Sequence, residues 1–260
     1  VLNDAPIFHL EAGKDIEEAW RPKNVNEVFL GPIRFREALY RSRNTVSIRL
    51  LESIRLNYAI SYLEKFGFAR QDIPRDLSLA LGSPTLTPLE ITRGWAAFAN
   101  GGHLIDPYLI TRIENREKEV LYSASPAVAG LDKSTEQDPE PGYNPAPQII
   151  DPRTAYIINS ILQDVINRGS GWRAKALKRN DLAGKTGTTN DSRDAWFSGY
   201  NGDLVTTVWV GFDQPASLGE KEFGATAALP IWVRYMGAAL EGKPEHSVSE
   251  PPGILKIRVD

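Results

Sequence analysis

The hydrophobic pattern changes period in the second half of this chain, and that change limits the fold more than any other feature. Before Leu182 apolar residues recur at helical spacing; after it they alternate. The helical part predicts a helix over 34–42, with Phe35, Ala38 and Leu39 on one face. A second starts near Asn44 and carries Val46, Leu50, Leu51 and Ile54. A third runs from Tyr58 to Phe66, with Tyr58, Tyr62 and Phe66 at steps of four and Gly67 as its stop. Thr87-Pro88-Leu89-Glu90 reads as a capping box with proline at the first helical position. Ile91, Trp95 and Phe98 form the expected buried stripe of that helix, and Asn100-Gly101-Gly102 ends it. Asp151-Pro152 opens another helix, bearing Ile157, Ile158, Ile161, Leu162 and Val165. The alternating part predicts strands over 182–188, 194–200 and 204–212. Their short links, rich in Asn, Asp, Gly and Ser, suit an antiparallel meander. A last helix is expected over about 227–240, with Ile231, Tyr235 and Ala238 or Ala239 inward. Helices, then a meander, then a helix make an α+β chain.

Between the two parts, Leu109-Ile110 and Val120-Leu121-Tyr122 are short strand-like runs. Residues 123–147 hold five prolines and an acidic stretch, and read as an exposed, mobile connection. The expected division is therefore 1–122, mainly helical; 123–147, Pro-rich; 148–250, the meander and last helix; and 251–260, the start of a tail. The charge is near balance, with 30 Lys+Arg against 33 Asp+Glu, so no nucleic-acid partner is expected. The chain has no cysteine, which excludes disulfides, thiolate chemistry and Cys-based zinc sites. His9, His103 and His246 lie far apart, so no metal site is expected. No apolar run approaches the ~18 residues of a membrane span. The start at Val1 rather than Met reads as a piece of a longer product.

Two motifs carry candidate chemistry. Gly184-Lys185-Thr186 is not a phosphate loop, because the glycine required five residues earlier is replaced by Arg179. On a strand, Lys185 and Gly187 share one face, while Thr186 and Thr188 share the other. A glycine lets a ligand approach the backbone, and a free strand edge can bind an extended peptide. Lys185 would add a cation, and the Thr hydroxyls donors for a carboxylate. Alone, this triplet better fits an exposed strand with a bulge glycine. Ser42-Arg43-Asn44 lies between two predicted helices, and alone it better fits a helix end at Ser42 and an N-cap at Asn44. Together, in this order, the two motifs match K-T-G and, with Arg43 in the middle position, the S-x-N form of S-D-N, from the set S-x-x-K, S-D-N and K-T-G known as a signature of β-lactamases and penicillin-binding proteins.

The chain resembles the transpeptidase domain of class A penicillin-binding proteins. The resemblance includes Trp20-Arg-Pro-Lys-Asn24, Gly31-Pro32-Ile33, Arg41-Ser42-Arg43-Asn44, Leu79-Ala-Leu-Gly82, Ala99-Asn-Gly-Gly102, Gly184-Lys-Thr-Gly-Thr-Thr-Asn190, Asp194-Ala-Trp-Phe-Ser-Gly-Tyr200 and Val208-Trp-Val-Gly-Phe-Asp213. It implies the fold shared with serine β-lactamases, here incomplete on its N-terminal side. It also implies a peptidoglycan DD-transpeptidase with no cofactor, whose partners are a stem peptide ending in D-Ala-D-Ala and β-lactams. By resemblance Ser42 relays a proton, and Asn44 holds the substrate amide and the nucleophile's lysine. Lys185 sets the potential and helps the relay. Thr186, Gly187 and Thr188 bind substrate, with the Thr188 backbone in the oxyanion hole. Family members face the periplasm from the inner membrane, behind a membrane helix and a glycosyltransferase domain.

The family's nucleophile belongs to S-x-x-K, and no serine here has lysine three residues later. No serine at all precedes Ser42. The chain is therefore expected to lack the nucleophile and to need the missing N-terminal part of the same domain, with a separate fragment as one form it can take. A three-stranded sheet would then leave one face and one edge uncovered. A non-catalytic module that binds stem peptide or a partner is the alternative.

Overall fold

The computed structural model describes all residues except 11, 12, 14, 131–143 and 258–260. The helices are α1 (Phe35–Tyr40), α2 (Asn44–Ile54), α3 (Leu56–Glu64), α4 (Pro88–Ala99), α5 (Pro152–Arg168) and α6 (Leu229–Ala239). The strands are β1 (Leu2–Asp4), β2 (Gly31–Ile33), β3 (Arg112–Glu114), β4 (Val120–Ser123), β5 (Ala183–Thr188), β6 (Asp194–Tyr200) and β7 (Val205–Gly211). This is the α+β chain expected. The capping box forms as read: Thr87 Oγ1 accepts the Glu90 N–H at 3.2 Å, and Glu90 accepts the Thr87 N–H at 2.8 Å. Asp151 accepts the Arg153 N–H at 2.9 Å, opening α5.

The meander is a three-stranded antiparallel sheet in the order β5-β6-β7. Its register sets Lys185 opposite Ser198 and Gly187 opposite Trp196. Ser198 in turn faces Thr207 on β7. On one face Ala183 and Tyr200 meet Leu162 and Val165 of α5, with Trp95 and Phe98 of α4 alongside. On the other face Ala195 and Phe197 meet Trp232 and Met236 of α6. Both faces are thus covered by the chain's own helices, which corrects the expectation of a bare face. Gly199 permits the close approach of α6, since a Cβ there would lie 2.8 Å from the Trp232 ring.

Four sequence readings change. The inward residues of α6 are Leu229, Trp232 and Met236, while Ile231 and Tyr235 are about half exposed. The two stripes have the same helical spacing, and the space beneath Phe197 selects the one with the indole, whose ring lies 4.9 Å from the Phe197 ring. On α4 Trp95 and Phe98 pack against the core as read, but only partly buried, and the buried positions are the small Gly94 and Ala97. Leu109-Ile110 is not a strand; the ribbon is β3–β4, reached two residues later. β1 and β2 were not foreseen, since three residues are too short to show alternation.

The centre of the expected mobile connection, 131–143, lies outside the described residues. Its flanks are joined by Val128 and Ala146, whose N–H donates to the Val128 carbonyl at 2.9 Å. Among the described residues no helix is long and apolar enough to cross a membrane.

Candidate active site

β5 brings Lys185 to the sheet edge, because among the described residues it pairs only with β6. The α1–α2 turn brings Ser42 to the same place. Lys185 Nζ donates to Ser42 Oγ at 2.8 Å, joining residues 143 positions apart, and to the Thr186 carbonyl at 2.9 Å. Burial lowers the Lys185 ammonium from its usual 10.5 to about 8. The free amine is therefore nearer to reach at neutral pH than in an ordinary lysine.

Ser42 sits in a helix-ending turn. Its N–H donates to Leu39 O at 3.0 Å, and the Arg43 N–H donates to Ala38 O at 2.9 Å. These two bonds define a Schellman motif, whose left-handed position usually holds glycine. Here that position holds serine, with φ of 56°. Glycine would be the easier residue, so a serine held here is strained and is a candidate for function.

Asn44 begins α2 but does not cap it, since no side-chain cap bond forms at this end. Its amide instead donates to the Lys23 carbonyl at 2.8 Å. The N-cap reading of Asn44 is therefore replaced by a tie to the 23–28 loop. Asn44 makes no hydrogen bond to Ser42 Oγ or Lys185.

The threonines are both engaged. Thr186 Oγ1 and Ser170 Oγ are hydrogen-bonded at 2.6 Å, and either hydroxyl can be the donor. Thr188 Oγ1 accepts the Gly224 N–H at 3.0 Å, leaving its own proton free to donate. Gly187 lies against Trp196, and a Cβ there would sit 3.2 Å from Trp196 Cβ. The π-helical turn Gly224–Ala228 reaches this edge only because residue 224 is glycine: a Cβ would come within 2.5 Å of Gly187 O. Ser170 and Gly224 were not found from sequence. Ser170 stands in a Gly-Ser-Gly turn with no motif around it, and Gly224 is far from Thr188 in the chain.

Lys185, Ser42 and Thr188 thus place a cation and two hydroxyls at one strand edge. Such a group can hold a carboxylate and pass a proton. A separate apolar hollow of about 570 Å³, lined by Leu89, Tyr108, Leu109, Ile110, Ile113 and Tyr122, shares none of these residues. Among the described residues no cluster of His, Cys, Asp and Glu could hold a metal ion.

The family described as the penicillin binding protein transpeptidase domain matches residues 7–232. Penicillin-binding protein 1A of Pseudomonas aeruginosa is 52% identical over 292 aligned positions, covering 100% of this chain and 35% of that protein. Penicillin-binding protein 1A of Neisseria lactamica is 44% identical, covering 98% of this chain and 30% of that protein. The crystal structure of penicillin-binding protein 1A from Haemophilus influenzae matches with a TM-score of 0.91 at 36% identity, over 100% of this chain and 41% of that one. PonA1 of Mycobacterium tuberculosis, solved with penicillin V, shares the fold at a TM-score of 0.74 and 22% identity, over 97% of this chain and 66% of that one. The chain spans about a third of the length of the curated relatives it matches. A family match over most of the chain, and identities of this size across all of it, mean that the chain belongs to the transpeptidase-domain family of penicillin-binding proteins.

Proposed function

We propose that this chain supplies the S-x-N and KTG elements of a peptidoglycan DD-transpeptidase and does not supply its nucleophile. The observation that carries the reading is the 2.8 Å bond between Lys185 and Ser42 within a chain of this family. The reaction is acyl transfer in two steps. A serine hydroxyl forms a C–O bond to the carbonyl of D-Ala-D-Ala, the C–N bond breaks, and the hydroxyl proton ends on the departing D-Ala nitrogen. Ser42 lies on that proton's route. Because Ser42 Oγ accepts from Lys185, its own proton is free to point at the leaving nitrogen. The Lys185 charge and the Thr186 and Thr188 hydroxyls hold the terminal carboxylate of the stem peptide, and a β-lactam's carboxylate occupies the same place. The Thr188 N–H serves the oxyanion, where one donor typically contributes ~10²–10³ in rate. Asn44, fixed on Lys23, faces the substrate amide. The complete protein acts at the periplasmic face of the inner membrane.

Fluorescent penicillin tests this reading. A polypeptide carrying this chain together with an S-x-x-K segment takes the label covalently, on a residue outside positions 1–260. The present chain alone takes none. Label on a serine of this chain would contradict the assignment. Failure of both to label, with stem peptide still bound, would favour the non-catalytic binding module.

A further inference from the structure

The middle residue of Ser42-Arg43-Asn44 is buried, although it is an arginine. Arg43 is 5% exposed and its partner Asp4 is fully buried. Arg43 Nε donates to Asp4 Oδ2 at 2.8 Å, Nη1 to Asn26 Oδ1 at 3.0 Å, and Nη2 to the Val28 carbonyl. Asp4 collects three further donors: Thr45 Oγ1 at 2.6 Å, Asn24 Nδ2 at 2.8 Å and the Leu30 N–H at 3.0 Å. Burial alone would raise the Asp4 carboxyl, but these hydrogen bonds outweigh it and hold it below the ordinary carboxylate range. A buried arginine with its fork filled on three sides has one orientation. Asn44 beside it is fixed to the same loop through Lys23.

We propose that the Asp4–Arg43 pair is the positioning element of the proton relay, holding the strained Ser42 turn so that its hydroxyl meets Lys185. The pair touches neither substrate nor Lys185; it acts through Ser42. Three facts join it to that role. Arg43 is the next residue to Ser42, and its N–H closes the Schellman turn. Asp4 belongs to β1, whose pairing with β2 sets it opposite Gly31. The anchor therefore comes from a small sheet remote in sequence, and not from α1 or α2. Ser42 carries a left-handed backbone that a non-glycine residue keeps only where its surroundings over-determine it. A hydrophobic plug could fill the same volume, so a buried ion pair here needs a reason beyond stability. Fixing one direction for a relay side chain is such a reason.

This inference rests on the transpeptidase reading, and its test separates the two. The protein is the complete polypeptide bearing this chain and an S-x-x-K segment. Penicillin acylation is followed as two quantities, the dissociation constant of the first complex and the first-order acylation constant at saturation. The variants are Arg43→Lys, Arg43→Met, and Arg43→Met paired with Asp4→Leu, which removes both charges. Final label per total molecule, read beside the unfolding transition, reports whether each variant folds. The paired variant folds and labels to completion, but its acylation constant falls at least tenfold while the dissociation constant changes less than threefold. Arg43→Lys, which keeps the charge but loses the fork, falls between the paired variant and the parent. Acylation of the paired variant at the parental constant would overturn the positioning role. Equal losses in both constants would also overturn it, showing a general distortion of the site. If the parent itself takes no label, the transpeptidase reading fails, and this inference falls with it.

Discussion

The two walls of the site are held by different physics. The Lys185 wall is a regular strand backed by carbon. Phe197, Trp232 and Met236 are fully buried beneath the sheet, and no backbone strain is needed to place the lysine. The Ser42 wall is a left-handed turn held by polar groups, Asp4, Asn24, Arg43 and Thr45, all buried. Apolar packing tolerates small shape changes because it has no direction. A buried polar network is directional and costs heavily when one member is lost. The Lys185–Ser42 bond therefore joins a robust wall to an exacting one.

The comparison breaks most visibly at Trp232. Trp232→Ala removes an indole packed on Phe197, and should cost about 3–5 kcal/mol in denaturant unfolding. A cost below about 1 kcal/mol would show that the sheet wall does not depend on that core.

Lys185→Ala sharpens the comparison from the chemical side. Acylation of the complete protein should fall roughly 10²–10³-fold, with little loss of melting temperature. Removing a desolvated charge takes away a folding cost as well as a contact. The pH dependence follows from the same burial. With its pKa lowered to about 8, the lysine is cationic below that value, so acylation should decline as pH rises through about 8. The folded pKa lies below the unfolded one, so the unfolded chain binds more protons between about 8 and 10.5. Stability should thus rise with pH across that window relative to Lys185→Ala. A parallel stability profile in the two proteins would place the ammonium in solvent.

Thr188 gives a smaller effect. Its hydroxyl accepts the Gly224 N–H and keeps a proton to donate, which on the proposed function goes to the ligand carboxylate. Thr188→Val should weaken acylation about tenfold, the worth of a hydrogen bond to a charged group. It also leaves the Gly224 N–H unpaired, so Thr188→Ser is the control that keeps both bonds. Equal losses for a β-lactam acid and its ester would point to a displaced Gly224 turn rather than a missing donor.

The smallest effect separates strain from function on the Ser42 wall. Ser42→Gly removes the left-handed penalty and should stabilise the chain by about 1 kcal/mol while impairing acylation. A loss of stability would mean that the hydroxyl, and not the backbone, holds the turn.

These contrasts also explain what could be read in advance. The Lys185 wall was legible because β5, β6 and β7 alternate over six or seven residues, long enough for a period of two to show. The helices announced themselves through Thr87-Pro88 and Asp151-Pro152. The face of α6 was misread, because Ile231/Tyr235 and Trp232/Met236 have the same spacing and only the cavity under Phe197 chooses between them. The Ser42 wall was legible as a motif but not as a structure. Nothing local in Arg43 says that it is buried, and its partner Asp4 lies 39 positions away in a three-residue strand. Ser170 and Gly224 were invisible for the same reason: each acts through a contact made by folding, with Thr186 and Thr188 respectively.

A double-mutant cycle tests the relay most directly. Acylation by penicillin is measured for the complete protein and for Ser42→Ala, Lys185→Ala and the double variant. If the two side chains act as one unit through their 2.8 Å bond, the double variant should be little worse than the poorer single variant. The coupling should then exceed about 1.4 kcal/mol, a factor of ten. Single losses that simply multiply in the double variant would show that Ser42 and Lys185 are neighbours without a shared task, and would contradict the account.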